Sequence, residues 1–236
     1  MAEEQSGGLA LPEQDAGAGF KAEMWVANTF LGYWKQLLVV IVIGLIGVLI
    51  YGMWANQYQH QQRATTGQIA DVQFNLPKDA VPGSMTDAQT ATFAEAAGRL
   101  DEIGAAAAGT ARVEAYLNAA ELYRMVGNAE AQRSSLENAA KDSSGALQYA
   151  AVGALANLDL EEGQGDAAVE RLRGLKDNMT GMLSEQSTID LGLALEHLEK
   201  PADAVVVYTE FLEKWPESTR ADDVEARQQR IIGDGA

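Results

Sequence analysis

The chain has 236 residues, with 34 Asp and Glu against 17 Lys and Arg, for a net charge of −17. Such an excess of anions repels a phosphate backbone and argues against nucleic acid as a partner. There is no cysteine, which excludes thiol catalysis, disulfides and zinc–thiolate sites.

Residues 1–20 are small, polar and Gly-rich, and read as a disordered tail. The stretch 21–75 reads as an interfacial segment, Lys21 to Tyr33, followed by a transmembrane helix over about 36–55. Its centre is Leu37 to Trp54, which is charge-free and holds twelve Leu, Ile or Val residues. Eighteen helical residues span about 27 Å, close to the hydrocarbon thickness of a bilayer. Twelve aliphatic side chains favour insertion by roughly 4 to 7 kcal/mol. Trp25, Phe30, Tyr33 and Trp34 precede the run, and Tyr51, Trp54 and Tyr58 close it, as aromatic rings do at both membrane boundaries. The run is too long and too far from the start for a cleaved signal peptide, and no small-x-small site follows it. Gly44 and Gly47 are three apart, not four, so the common dimerisation face is missing. Lys21 and Lys35 precede the span and only Arg63 follows closely, which favours an N-terminus on the cytoplasmic side. The part before the span carries five acids against two lysines, or −3, so the remainder carries −14.

Helical character is expected to continue past Trp54 through the polar stretch to Phe74. Two prolines and a glycine then mark a linker over 76–85. Thr86 and Gln89 form a capping-box pair at the start of the first helix beyond it. From there on, apolar residues recur at helical spacing and nothing alternates with period two. Helices are predicted over 87–107, 111–126, 129–141, 145–162, 165–178, 184–199, 202–214 and 219–232. Region 86–236 is therefore all-α.

Within it an interval of 36 recurs. Ala120, Ala156 and Gly192 obey it, as do Ala119, Leu155 and Leu191 beside them. In the helices that follow, Leu136, Leu172 and Tyr208 keep the interval, and so do Ala139, Leu175 and Phe211, and Gln132, Ala168 and Ala204. Small residues on one helix opposite large ones on the next let paired helices interdigitate. Stacked pairs then bury a core that no single pair could, which makes an α-solenoid. Ala96, Leu100 and Ile103 extend the register back by half a unit.

These units resemble tetratricopeptide repeats. Leu191, Gly192, Leu195, Ala204, Tyr208, Phe211 and Pro216 stand where that consensus has like residues. Ala156, Ala168 and Leu172 match in the middle unit, and Tyr116, Ala120, Tyr123 and Gly127 in the first. Asp159 and Gln132 depart from the pattern, at positions where apolar or small residues are usual. The polar last helix suits a cap. With its short tail, early span and small acidic repeat domain, the chain also resembles the ancillary SecYEG translocon subunit family (YfgM-like). That resemblance implies a bacterial inner-membrane protein with one span, a cytoplasmic N-terminus and a periplasmic repeat domain. Its partners would be translocon subunits and a periplasmic chaperone of the prolyl-isomerase type.

No catalytic constellation is legible. His60 and His197 are far apart and lack partners at metal-ligand spacing. Gly163 and Gly165 lack the lysine of a phosphate loop, and no Gly-x-Ser-x-Gly elbow occurs. Neither cofactor nor metal is expected, and the protein is read as a non-enzymatic binding module. The tetratricopeptide resemblance implies a concave binding face made by the first helix of each pair. By register, that face includes Leu117, Asn118, Glu121, Arg124, Ala154, Asn157, Glu161, Ile189, Asp190, Leu193 and His197. One arginine among several acids disfavours a clamp for a peptide's terminal carboxylate. The face suits basic or apolar segments instead, such as an emerging polypeptide or a partner's helix. The alternative is a structural or assembly subunit of another envelope complex, of the division, respiratory or outer-membrane assembly machinery.

Overall fold

The computed structural model describes residues 16–234, with side chains from residue 43 onward except 54, 61 and 234. Among these residues the chain is all-helical: α1 (Ala16–Phe74), α2 (Asp87–Ala106), α3 (Gly109–Met125), α4 (Ala129–Lys141), α5 (Gly145–Glu161), α6 (Gly165–Asn178), α7 (Met182–His197), α8 (Pro201–Lys214) and α9 (Ala221–Asp234). The expected tail up to residue 15 lies outside the described residues. So do the side chains of residues 36–42 and of Trp54 in the expected span. From Ile43 to Met53 the large apolar side chains are exposed. Among the residues whose side chains are described, from Ile43 onward, no helix is long and apolar enough to cross a membrane, and the first part of the expected span lies outside them.

The chain divides into two compact units, one reaching Tyr58 and the other Gln59–Ala236. The second is a tetratricopeptide-like solenoid in which each helix packs on the next from α2 to α9. The second helices of the pairs, α4, α6 and α8, put Leu136, Leu172 and Tyr208 into the core at the 36-residue interval. Ala120, Ala156 and Gly192 face them from α3, α5 and α7. Side-chain size is exchanged between partners: alanine goes with leucine, glycine with tyrosine. Tyr208 and Phe211 are fully buried at the heart of the largest core cluster.

The backbone keeps the same interval. Gly109, Gly145 and Gly181 open the first helices at φ 60°, 57° and 58°. Gly127 and Gly163 end α3 and α5 in the left-handed region, and Glu199 stands at that place after α7 with φ 55°. Each stop is closed by one long turn bond: Asn128 N–H to Tyr123 O (2.9 Å), Gln164 N–H to Asp159 O (2.7 Å) and Lys200 N–H to Leu195 O (2.9 Å). The bond satisfies a carbonyl that would otherwise be left over at a helix end.

The C-terminal part of α1, from Gln59, belongs to the solenoid. Ile69 and Val72 are buried with Phe93, Ala97, Leu100, Ala119 and Leu122. The Gln62 amide accepts from Ala111 N–H (3.1 Å) and donates to Ala108 O. The Gln73 amide donates to Asn118 Oδ1 (2.7 Å). Contacts advance along α1 and α3 together, so the two helices run the same way, as α3, α5 and α7 do. This stretch is thus the first helix of a first pair, with α2 as the second. Gln62 also supplies the side-chain cap that α3 lacks, since its own cap residue is Ala108.

Asp159 and Gln132 are both buried. The Asp159 carboxylate has no exposure and joins three helices. Oδ1 lies 2.6 Å from Nη1 of Arg133 on α4, an ion-pair contact that is not an aligned hydrogen bond. Oδ2 accepts from Nε of Arg171 on α6 at 2.7 Å. Arg133 also pairs with Glu162 at 2.8 Å. A buried carboxylate is tolerable only when matched by charge, and two guanidiniums match this one.

Candidate functional site

The first helices of successive pairs touch directly, α3 with α5 and α5 with α7. Between α5 and α7 lies a groove of about 430 Å³. Ala150, Gly153 and Ala154 share one face of α5 with Asn157, at i, i+3, i+4 and i+7 spacing, and their small side chains open it. Tyr149, Leu160, Leu172 and Leu193 are its larger apolar bodies, and Asp190 and His197 come from α7.

The groove brings together Ala154, Asn157, Asp190, Leu193 and His197 of the residues predicted from sequence. Glu161 lies one turn beyond Asn157 on α5, exposed. Leu117 is half-buried against the small clusters around Val113 and Leu136. Asn118 accepts from Gln73 and donates to Glu114 O (2.8 Å). Glu121 and Arg124 are exposed and doubly bonded to each other at 2.7 and 2.8 Å. The guanidinium holds the Glu121 carboxyl below its ordinary range. Ile189 is 8% exposed and packs in the core with Ala156, Leu172 and Leu195. It sits one residue, or about 100° of helix rotation, from Asp190 on the lining side.

Tyr149 was not among the predicted residues. Its hydroxyl donates to Asp190 Oδ2, and Gln186 Nε2 donates to Oδ1 at 2.7 Å. Burial first, then the carboxylate that accepts its proton, pushes the Tyr149 hydroxyl pKa well above the ordinary tyrosine value. Gln186 in turn accepts from Arg220. Such ties hold a surface in shape, but they contain no nucleophile–base pair. Among the described residues no group of three His, Cys, Asp or Glu side chains is placed to hold a metal ion.

No protein-family model matches the sequence, and no curated protein matches it. Two solved structures are similar, both of a Podosopora anserina protein described as a kinesin light chain with nearly identical TPR-like repeats, one of them a point variant. Each is 15% identical with a TM-score of 0.48, and covers 75% of this chain and 85% or 86% of the other.

Proposed function

We propose that the protein is a non-catalytic docking module anchored in a membrane by the apolar part of α1. In this reading it is an ancillary component of a translocon and periplasmic chaperone network in a bacterial inner membrane. The observation that carries the proposal is the sequence of surfaces along one helix. Ile43 to Met53 expose large apolar side chains. Only seven residues lie between Trp54 and Gln62, whose amide is bonded to the start of α3. An apolar surface of that kind needs lipid or protein to cover it. Even fully extended, the eight steps from Trp54 to Gln62 reach no more than about 28 Å. With the run in a bilayer, the groove-bearing domain stays near the membrane surface, at a raised effective concentration for membrane partners.

Photocrosslinking from Asn157 and Leu193 in intact membranes tests the reading, with co-purification in mild detergent as a second readout. Translocon or chaperone subunits are the expected captures. A stoichiometric partner from another envelope machine would overturn the translocon assignment in favour of an assembly role. A fully functional, freely diffusing protein lacking residues 1–58 would overturn the anchor.

A further inference from the structure

We infer that the α5–α7 groove takes an amphipathic helix from its partner, with an apolar stripe flanked by lysine or arginine. The inference rests on the docking role proposed above and specifies the chemistry of the occupant.

The repeat register separates structural from available positions. Residues 118, 154 and 190 are equivalent. Asn118 is bound by Gln73 and Asp190 by Tyr149, each from the preceding first helix. In α3 and α7 that position ties neighbouring first helices together, whereas in α5 it is Ala154, on the groove floor. At the next positions along the helices, 157 with 193 and 161 with 197, Asn157, Glu161 and His197 are exposed and Leu193 is half-buried in the groove wall.

Backbone chemistry favours a helix over an extended segment. An extended chain arrives with unpaired N–H and C=O groups, and it binds well where a sheet edge or several free amides receive them. The walls here are helices whose main chains are already paired. Asn157 is the one amide side chain lining the groove. A helix satisfies its own main chain. The floor of Ala150, Gly153 and Ala154 lets it approach closely, and a Cβ placed on Gly153 would meet nothing within 4 Å.

Charge sets the flanks. No Lys or Arg lines the groove. Asp190 accepts from two uncharged donors and forms no ion pair among the described residues. Glu161 forms no ion pair among the described residues. Nearby cations are bonded elsewhere: Arg124, which also feels the Glu161 charge, with Glu121, Arg220 with Gln186, and Arg227 and Arg230 with Glu196.

The test uses the full chain in zwitterionic nanodiscs, with a photocrosslinking side chain in place of Leu193 and empty nanodiscs as the blank. Three synthetic peptides of one length are compared. One has leucines at i, i+3, i+4 and i+7 with flanking lysines. The second has the same composition with leucine and lysine alternating, and the third has glutamates for the lysines. The first should be captured, and the other two about tenfold more weakly or worse. Gly153→Leu fills the groove and should weaken capture of the first peptide by about tenfold or more with helicity by circular dichroism unchanged, and Glu161→Lys should weaken it too. Equal capture of the alternating peptide would overturn the helix, and equal capture of the acidic one the charge. Indifference to Gly153→Leu would overturn the groove. Capture of none would end the inference while leaving the docking role standing, provided membrane crosslinking from Asn157 still retrieves a partner.

Discussion

Gly192→Ala is the most direct probe of how the repeats fit together. Gly192 lies mid-way along α7, where alanine would ordinarily stabilise a helix by about 1 kcal/mol. An added Cβ would come 2.2, 2.7 and 2.9 Å from Cε1, Cζ and Cδ1 of Tyr208. Carbon atoms sit comfortably at about 3.5 to 4.0 Å, so the ring would have to retreat by more than about 1 Å. It has nowhere to go: Tyr208 is fully buried, and its hydroxyl is bonded to Glu196. Overpacking a tight core costs about 1 to 3 kcal/mol, and a clash with a rigid ring belongs at the upper end. After subtraction of the helix preference, a net loss of about 2 kcal/mol is expected, or about 4 to 8 °C in the melting temperature. Differential scanning calorimetry on full-length protein reads it. Gly174→Ala, in the interior of α6 with nothing within 4 Å of the new Cβ, is the control and should stabilise by about 1 kcal/mol. Tyr208→Leu should soften the effect of Gly192→Ala, giving a coupling energy in a double-mutant cycle. If Gly192→Ala stabilised the protein as much as Gly174→Ala, the size exchange between α7 and α8 would not be what seats the pair.

The Asp159 clasp should respond asymmetrically. Replacing both Arg133 and Arg171 by Met strands a buried carboxylate and should cost about 3 to 5 kcal/mol in urea unfolding, whereas Asp159→Leu, whose stranded guanidiniums can reach water, should cost less. Glu199→Gly removes a left-handed non-glycine backbone and should gain up to about 1 kcal/mol, while Gly127→Ala and Gly163→Ala should each lose about 1 kcal/mol in the same assay. Gln62→Ala should speed amide hydrogen exchange at Ala111 and the first turn of α3 and leave α7 unchanged. Tyr149 and Tyr208 hold their protons more tightly folded than unfolded, mainly through burial. Their contribution is complete below about pH 10 and is lost above it, so melting temperatures should fall through that range, and less steeply in the Tyr149→Phe variant.

Much of the solenoid was legible because its information is periodic. Predicted helix ends lie within about two residues of those observed, since Gly127, Gly163, Pro201 and the Thr86–Gln89 box mark them locally. The equal spacing of Gly109, Gly145 and Gly181 was also in the sequence, but side-chain periodicity passes over backbone signals of that kind. The docking of α1 was not legible, because Ile69 and Val72 are two apolar residues in a polar stretch and the Gln62 amide acts through partners 46 and 49 residues away. Asp159 stood out as an oddity, yet nothing in one dimension reveals that Arg133 and Arg171 converge on it. The groove was half legible. Register places residues on a helix face, and it predicts Asn157, Leu193 and His197. It cannot distinguish an open position from one already occupied by a neighbour, as at Asn118, nor a lining position from the core, as at Ile189.

The seating of α1 against α3 makes the stalk inseparable from the building it carries. A protease cut in the loop between Phe74 and Asp87 would not shed an intact head; it would leave behind one wall and the plug that seals α3. Residues inserted before Gln59 would leave that seating as it is. A single residue inserted between Gln62 and Gln73 would turn one anchoring amide by about 100° relative to the other, so only one of them could dock at a time.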